Sequence, residues 1–145
     1  MSSPDVTSAN KELIRTFRHR LWVERDLGVL DEVFAPDAVV RWGDSDSDAV
    51  TAVRSDVERY FAAFTDVRTT IDELVAEDDQ VVVRWTTTGL HTGPYGKVPP
   101  TGREITMTGV DGYRLEGGRI VEAWSMWDAL DTFQQLGLVA PDVGP

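Results

Sequence analysis

The 145-residue sequence contains no cysteine, only two histidines and no long hydrophobic run. The absence of cysteine excludes disulfide frameworks, thiol nucleophiles and thiolate metal sites. The two histidines form neither a His-x-His nor a His-x-x-x-His pair, and no Gly-Lys-Ser/Thr phosphate loop is present. No run of about 18 apolar residues exists, so no membrane-spanning helix is predicted. We therefore expect a protein that requires neither a metal ion nor an organic cofactor.

Basic residues are also scarce, with 14 against 25 acidic residues and a formal net charge of −11. A surface of this charge repels phosphate backbones and anionic lipids, so we expect neither a nucleic-acid partner nor a membrane partner. The first ten residues are polar and contain no basic residue, unlike a signal peptide. These features predict a cytoplasmic protein.

The sequence has enough apolar residues for one core, with 41% hydrophobic and 9% aromatic residues. The length suits one domain, and we place no boundary inside residues 1–145. In the first half, apolar residues recur at helical spacing. This spacing predicts helices over 10–21, 29–34 and 48–64, with Asp48 as a cap and a short strand over 38–42.

The second half changes to the composition of strands, rich in Thr, Val and Ile. Strands are predicted over 69–76, 80–90, 103–115 and 119–127, and loops over 43–48 and 91–102. Asp128 is predicted to cap a last helix that Gly137 ends. Helices followed by long consecutive strands indicate an α+β domain, with the helices packed on one face of a curved, mostly antiparallel sheet. Such a sheet forms a cone that encloses a pocket.

Five tryptophans are more than a core of this size needs. They are Trp22, Trp42, Trp85, Trp124 and Trp127. Aromatic walls with a few polar groups are the usual lining of a small-molecule pocket, whereas any one tryptophan taken alone is better explained as a core residue.

Two polar residues are candidates for proton transfer. His91 lies where a strand ends and a loop begins, a location typical of functional side chains, although hydrogen bonding within the loop explains it equally well. Asp111 lies mid-strand and shares a face with Met107, Gly109 and Tyr113. A carboxylate on an apolar face has a raised pKa and can act as an acid, while the alternative is a surface aspartate or an ion pair with an arginine.

Several motifs carry a resemblance to a known family. They are Phe34-Ala35-Pro36-Asp37, Val83-Arg84-Trp85, Gly89-Leu90-His91-Thr92-Gly93, Pro99-Pro100-Thr101-Gly102-Arg103, Tyr113-Arg114-Leu115, Gly117-Gly118-Arg119-Ile120 and Gln134-Gln135-Leu136-Gly137. Over residues 10–138 the sequence resembles the SnoaL-like polyketide cyclases of the nuclear-transport-factor-2-like superfamily. The resemblance implies a single cone-shaped domain and a homodimer.

The resemblance also implies an enzyme that closes a ring in a polyketide-type substrate without a cofactor, by aldol-type or pericyclic closure. In that mechanism His91 accepts a proton or orients the substrate, and Asp111 acts as an acid or enolate stabiliser. Ser125 stands where the family has its catalytic aspartate, and a serine cannot serve as that base. The alternative is a non-catalytic small-molecule binding protein of the same fold.

We expect the substrate to contact the aromatic and cavity-facing side chains. These are Trp22, Trp42, Tyr60, Trp85, Met107, Tyr113, Ser125 and Trp127. In the last strand, alternation places Val121, Ala123, Ser125 and Trp127 on one face and Trp124 on the other.

Overall fold

The computed structural model describes residues 4–42 and 45–140. In chain order the helical elements and strands are α1 (Pro4–Arg18), a π-helical turn (His19–Val23), α2 (Val29–Val33), β1 (Phe34–Trp42), β2 (Ser45–Asp48), α3 (Ala49–Ala63), β3 (Phe64–Glu77), β4 (Gln80–His91), β5 (Glu104–Glu116), β6 (Arg119–Trp127) and α4 (Ala129–Gln135). None of the helices in the described ranges is long and apolar enough to cross a membrane.

The six strands form one sheet in the order β2-β1-β6-β5-β4-β3. Strands β3 to β6 pair as an antiparallel meander, while β1 pairs with β6 in parallel and with β2 in antiparallel fashion. The predicted α+β class, with N-terminal helices and a mostly antiparallel sheet, is confirmed.

Strand β2 corrects the predicted loop over 43–48, of which residues 43 and 44 lie outside the described residues. Serine and aspartate are poor strand formers, so composition alone indicated a loop. The backbone ladder runs from Val39 opposite Asp48 to Trp42 opposite Ser45, and these backbone bonds do not depend on side-chain type.

The predicted helix caps are confirmed. The Asp48 carboxylate accepts a hydrogen bond from Thr51 N at 3.0 Å, and the Asp128 carboxylate accepts one from Asp131 N at 3.0 Å. Each bond satisfies a backbone N–H that has no partner inside the first turn of its helix. The chain leaves α4 at Gly137, where φ is +81°, a conformation that favours glycine.

Two clusters of buried side chains fill the space between the helices and the concave face of the sheet. The larger cluster includes Ile14, Phe17, Leu21, Leu30, Phe34, Val57, Val81, Val83, Leu115 and Ile120. The smaller cluster comprises Tyr60, Ala63, Phe64, Ile105, Met107 and Leu136. Trp22 and Trp85 pack against both clusters, so the junction between the clusters is lined by indole rings.

A bulge in β6 changes which side chains enter the core. Arg114 lies opposite Glu122, but Leu115 lies opposite Ile120, so Val121 is the extra residue. Ile120 is fully buried and Val121 only half-buried. Strict alternation does not continue through a bulge, so the face of Val121 stays a prediction, whereas Ala123 and Ser125 lie in register opposite Tyr113 and Asp111.

Candidate active site

A cavity of about 120 Å³, here called the inner cavity, lies where the two core clusters meet. Its aromatic walls are Trp22, Tyr60, Trp85, Tyr95 and Trp127, together with Met107. Its polar residues are Arg18, Asp56, Arg59, Thr87, Asp111 and Ser125. An aromatic lining with a few polar side chains is typical of a small-molecule site.

Two further spaces adjoin the inner cavity. A side recess of about 60 Å³ lies towards β1 and includes Trp42 and Tyr113 in its lining. An outer basin of about 550 Å³ is lined mainly by Trp42, Arg59, Met126 and Trp127. Asp56 and Ser125 border all three spaces, so they stand at the junction between the interior and the opening.

Arg18 and Asp111 form an ion pair at the polar end of the inner cavity. Arg18 Nη1 donates to Asp111 Oδ2 at 2.7 Å and to Tyr113 Oη at 2.9 Å, and its side chain is only 6% exposed. Ser125 Oγ donates to Asp111 Oδ1 at 2.7 Å. Burial opposes the charge on Arg18, but Tyr113 and Asp111 more than offset this effect and raise its pKa. Burial raises the pKa of Tyr113, so its phenol stays protonated.

Local structure places these side chains together. Arg18 is the last residue of α1, and the π-helical turn that follows it widens the helix. Trp22, on that turn, lines the same inner cavity. Asp111 and Ser125 are direct partners across the β5–β6 ladder, where opposite side chains lie about 5 Å apart.

This arrangement corrects the expected role of Asp111. From the sequence we expected a protonated aspartate that donates to an enol or enolate oxygen. In the structure both carboxylate oxygens accept hydrogen bonds, from Arg18 and Ser125, so the group is engaged in an ion pair and does not point a free donor into the cavity. The alternative considered for this residue, an ion pair with an arginine, describes the structure.

His91 does not lie in the inner cavity. Its ring is fully buried and stacks on Phe64, with ring centroids 5.2 Å apart. Thr101 N donates to His91 Nδ1 at 3.1 Å, so the ring proton resides on Nε2. Burial lowers the pKa of His91 and keeps the ring neutral.

The register of the sheet separates His91 from Asp111. Asp111 pairs with Val83, and His91 lies eight residues further along β4. At roughly 3.3 Å per residue this is about 26 Å. The structure therefore does not bring the expected catalytic pair together, and the explanation by hydrogen bonding within the loop fits His91.

Most of the predicted lining residues do border the inner cavity. They are Trp22, Tyr60, Trp85, Met107, Ser125 and Trp127. Trp42 and Tyr113 border the side recess instead. The indole of Trp124 packs over Gly112, where a β-carbon would be 2.0 Å from Trp124 Cε2, and the residue also borders the side recess. The structure thus gives these side chains positions, while their functional roles stay predictions.

Besides Arg59, sequence analysis missed two charged residues of the cavity, Arg18 and Asp56. Each lies within the apolar stripe of a helix, Arg18 four residues after Ile14 and Asp56 four residues before Tyr60. Residues at this spacing share one helix face. A charged residue at a position of the apolar stripe was the signal that could have identified both.

Two buried donors of the inner cavity have no partner within the part of the chain that the structure describes. They are Tyr60 Oη and Trp85 Nε1. Burial raises the pKa of Tyr60, so its hydroxyl keeps its proton. A buried polar group without a partner costs about 1–3 kcal/mol. Both atoms are shielded in this conformation, so a ligand oxygen in the cavity would remove that cost once the rings shift towards it.

The family model that matches this chain is that of the SnoaL-like polyketide cyclases, over residues 12–136. The chain belongs to the SnoaL-like polyketide cyclase family. A presumed polyketide cyclase from Acidithiobacillus ferrooxidans is 30% identical, with a TM-score of 0.77 and coverage of 97% of this chain and 100% of that chain. AclR from Streptomyces galilaeus, a presumed hydroxylase, is 28% identical, with a TM-score of 0.84 and coverage of 95% and 86%.

The fold of this family member is NTF2-like. An NTF2-like protein of unknown function from Burkholderia pseudomallei has a TM-score of 0.70 at 19% identity, with coverage of 88% of this chain and 97% of that chain. At that identity the likeness supports the fold alone. Among curated proteins no sequence matches this chain.

Proposed function

We propose that this protein is a polyketide-tailoring cyclase that closes a ring in a hydrophobic, polyketide-type substrate without a cofactor. The observation that carries the proposal is the pair of unpartnered donors, Tyr60 Oη and Trp85 Nε1, in an aromatic cavity. Aromatic walls favour an apolar carbon skeleton, and buried donors favour carbonyl oxygens on it. A polyketide combines these two properties.

The sizes of the spaces support a substrate that folds on binding. The inner cavity of about 120 Å³ is of the order of one six-membered ring, since a cavity of about 150 Å³ holds benzene. The outer basin of about 550 Å³ is large enough for the rest of a polycyclic or linear substrate. Holding two reactive carbons of one chain in contact at this junction lowers the entropic part of the barrier to ring closure.

Ring closure of the aldol type develops negative charge on carbonyl oxygens. After a small shift of their rings, the Tyr60 O–H and Trp85 N–H groups would donate to such an oxygen in a site with little water. The Arg18–Asp111 pair keeps the polar end of the cavity charged and ordered. A pericyclic closure would use the same walls and need no proton transfer.

A non-catalytic binding protein is the second candidate. Ser125 stands at the position of the family's catalytic aspartate, and its hydroxyl donates to a carboxylate that is already paired with Arg18. This arrangement leaves Ser125 without a free base to activate it.

A synthetic aromatic triketone, in which a β-diketone carbon can reach a ketone by six-membered closure, separates the two candidates. A cyclase gives a product of equal mass with a new retention time in liquid chromatography–mass spectrometry, faster than the protein-free solution. Trp85→Phe removes the N–H donor and should slow closure roughly tenfold or more. Trp124→Phe, the same change at a residue that borders the side recess but not the inner cavity, should not. A binding protein would quench tryptophan fluorescence and leave the closure rate at background.

A further inference from the structure

Asp56 is a carboxylate of the cavity that the sequence analysis did not single out. It lies in the middle of α3 and borders the inner cavity, the side recess and the outer basin. A substrate that extends from the basin into the inner cavity must pass it. Among the residues that the structure describes, only Asp56 and Ser125 border all three spaces.

The environment of Asp56 differs from that of Asp111. Within the described ranges the Asp56 carboxylate accepts no hydrogen bond, and its ion-pair partner, Arg59 Nη2, is 4.0 Å away. Asp111 accepts from Arg18 and Ser125 at 2.7 Å each. The Asp111 carboxylate is therefore held by two close partners, while the Asp56 carboxylate is free to contact a substrate.

Electrostatics reinforce this difference. The Asp56 side chain is 43% exposed at the cavity. Its partial burial raises the pKa of Asp56, the Arg59 cation opposes that shift, and the nearby Asp111 carboxylate adds to it. Two carboxylates of one site whose environments differ in this way are typical of an acid–base assignment.

We propose that Asp56 is the group that transfers the proton during ring closure. This inference rests on the proposed function and adds the residue that performs its chemical step. Tyr60, one turn further along α3, carries the unpartnered hydroxyl and faces the same inner cavity. A proton acceptor and a hydrogen-bond donor thus project from one helix face towards one substrate.

The step is balanced without any further reactant. The Asp56 carboxylate removes a proton from a carbon next to a substrate carbonyl, and the electrons of that C–H bond pass to the carbonyl oxygen as an enolate. The enolate carbon then forms a bond to a second carbonyl carbon of the same molecule, whose oxygen becomes an alkoxide. The protonated Asp56 returns its proton to this alkoxide, so closure is an isomerisation and the carboxylate is regenerated.

Deuterium exchange into an aryl β-ketoester in D₂O tests the proton transfer apart from ring closure. The wild-type protein should speed exchange at the carbon between the two carbonyls above the protein-free rate, measured by NMR. Asp56→Asn keeps the shape of the side chain but cannot accept the proton, so we expect a loss of roughly 10²-fold or more. Binding of the ester, measured by tryptophan fluorescence, should change only a few-fold.

The controls are Glu58→Gln, an exposed carboxylate on the same helix, and Asp56→Glu. Glu58→Gln should retain the wild-type exchange rate, and Asp56→Glu should restore part of what Asp56→Asn loses. Near wild-type exchange by Asp56→Asn, or a wild-type protein that binds the ester without exchange, would overturn the inference. Loss of exchange in Asp111→Asn but not in Asp56→Asn would assign the proton transfer to Asp111. Exchange by the wild type without closure of the triketone would instead contradict the proposed cyclase function.

Discussion

At the scale of single residues, the buried cation Arg18 ties α1 to the sheet. Removing it as Arg18→Met leaves the Asp111 carboxylate, whose side chain is 18% exposed, without its counter-ion. Breaking such a pair from one side costs about 3–5 kcal/mol, because the remaining charge stays uncompensated. Urea unfolding measures this change in the free energy of unfolding.

The control is Arg15→Met, three positions earlier on the same helix, where the side chain is 49% exposed and pairs with Glu12. Exposed pairs contribute about 0–1 kcal/mol, so this variant should unfold close to the wild type. Similar losses in the free energy of unfolding for the two variants would show that the Arg18–Asp111 pair contributes no more to stability than an exposed ion pair.

The proposed role of Asp56 also fixes the pH dependence of the reaction. The residue must be ionised to accept a proton, so kcat/KM should rise as the pH increases through its pKa. Burial and Asp111 raise that pKa against Arg59, so the rising limb should lie above the ordinary value of about 3.9. Arg18 and Tyr95 also face the cavity, but neither should produce this rising limb. Asp56→Asn should abolish the limb even though Asp111 is still present. A profile that keeps its rising limb in Asp56→Asn would contradict this assignment.

At the scale of elements, His91 holds the loop that follows β4. It accepts from Thr101 N and stacks on Phe64, and the same loop carries Tyr95 into the cavity wall. We predict that His91→Asn, whose side-chain oxygen can replace Nδ1 as acceptor, keeps the exchange rate of the β-ketoester within a few-fold. A loss of exchange rate as large as that of Asp56→Asn would instead show that His91 takes part in catalysis.

The same variant should change how stability depends on pH. Because burial lowers the pKa of His91 in the folded protein, the unfolded chain takes up a proton that the folded chain does not. The wild type should lose stability as the pH falls below about 6.5, the ordinary histidine value. Asparagine does not titrate, so His91→Asn should lose less stability than the wild type as the pH falls below about 6.5. Thermal unfolding scans at several pH values measure this difference.

Two glycines of β5 leave room for indole rings to pack directly against the backbone, on opposite faces of the sheet. A β-carbon at Gly109 would lie 2.4 Å from Trp85 Cζ2 and 2.7 Å from the Met126 carbonyl oxygen. A β-carbon at Gly112 would meet only the Trp124 ring, at 2.0 Å. Gly109→Ala and Gly112→Ala should each cost about 1–3 kcal/mol in urea unfolding. Only Gly109→Ala should also weaken binding of the β-ketoester, and equal weakening by both would contradict this difference.

The elements were predictable from the sequence to different degrees. Period and composition predicted the helices, the four long strands and the caps Asp48 and Asp128, because these depend on local side-chain chemistry. Strand β2 and the bulge at Val121 were not predictable, because both depend on backbone pairing with a distant strand.

The residues of the candidate site were also predictable from the sequence to different degrees. Alternation along one strand placed Asp111, Ser125 and Trp127 towards the cavity. It could not supply Arg18 or Asp56, because these come from helices whose orientation relative to the sheet is set by tertiary packing. The ion pair of Asp111 was not predictable for that reason, since its partner Arg18 lies 93 positions away in the chain.

At the scale of the whole molecule, the proposed reaction uses only the protein's own side chains and the substrate. Catalysis without a metal stays a prediction, as does the homodimer that the family resemblance implies. Dialysis against EDTA should leave the rate of triketone closure unchanged, with the undialysed protein as control. A rate that is lost on dialysis and restored by a divalent ion would contradict cofactor-free closure.

The parallel pairing of β1 with β6 sets the order in which the molecule can assemble. The meander from β3 to β6 needs only hairpin contacts between neighbours in the chain, whereas Val40 finds its partner Ala123 only when both halves are present. During synthesis, the cavity around Arg18 and Asp56 cannot close until β6 has left the ribosome. Docking of β1 and the early helices on a preformed meander is thus the step we expect to limit the rate of folding.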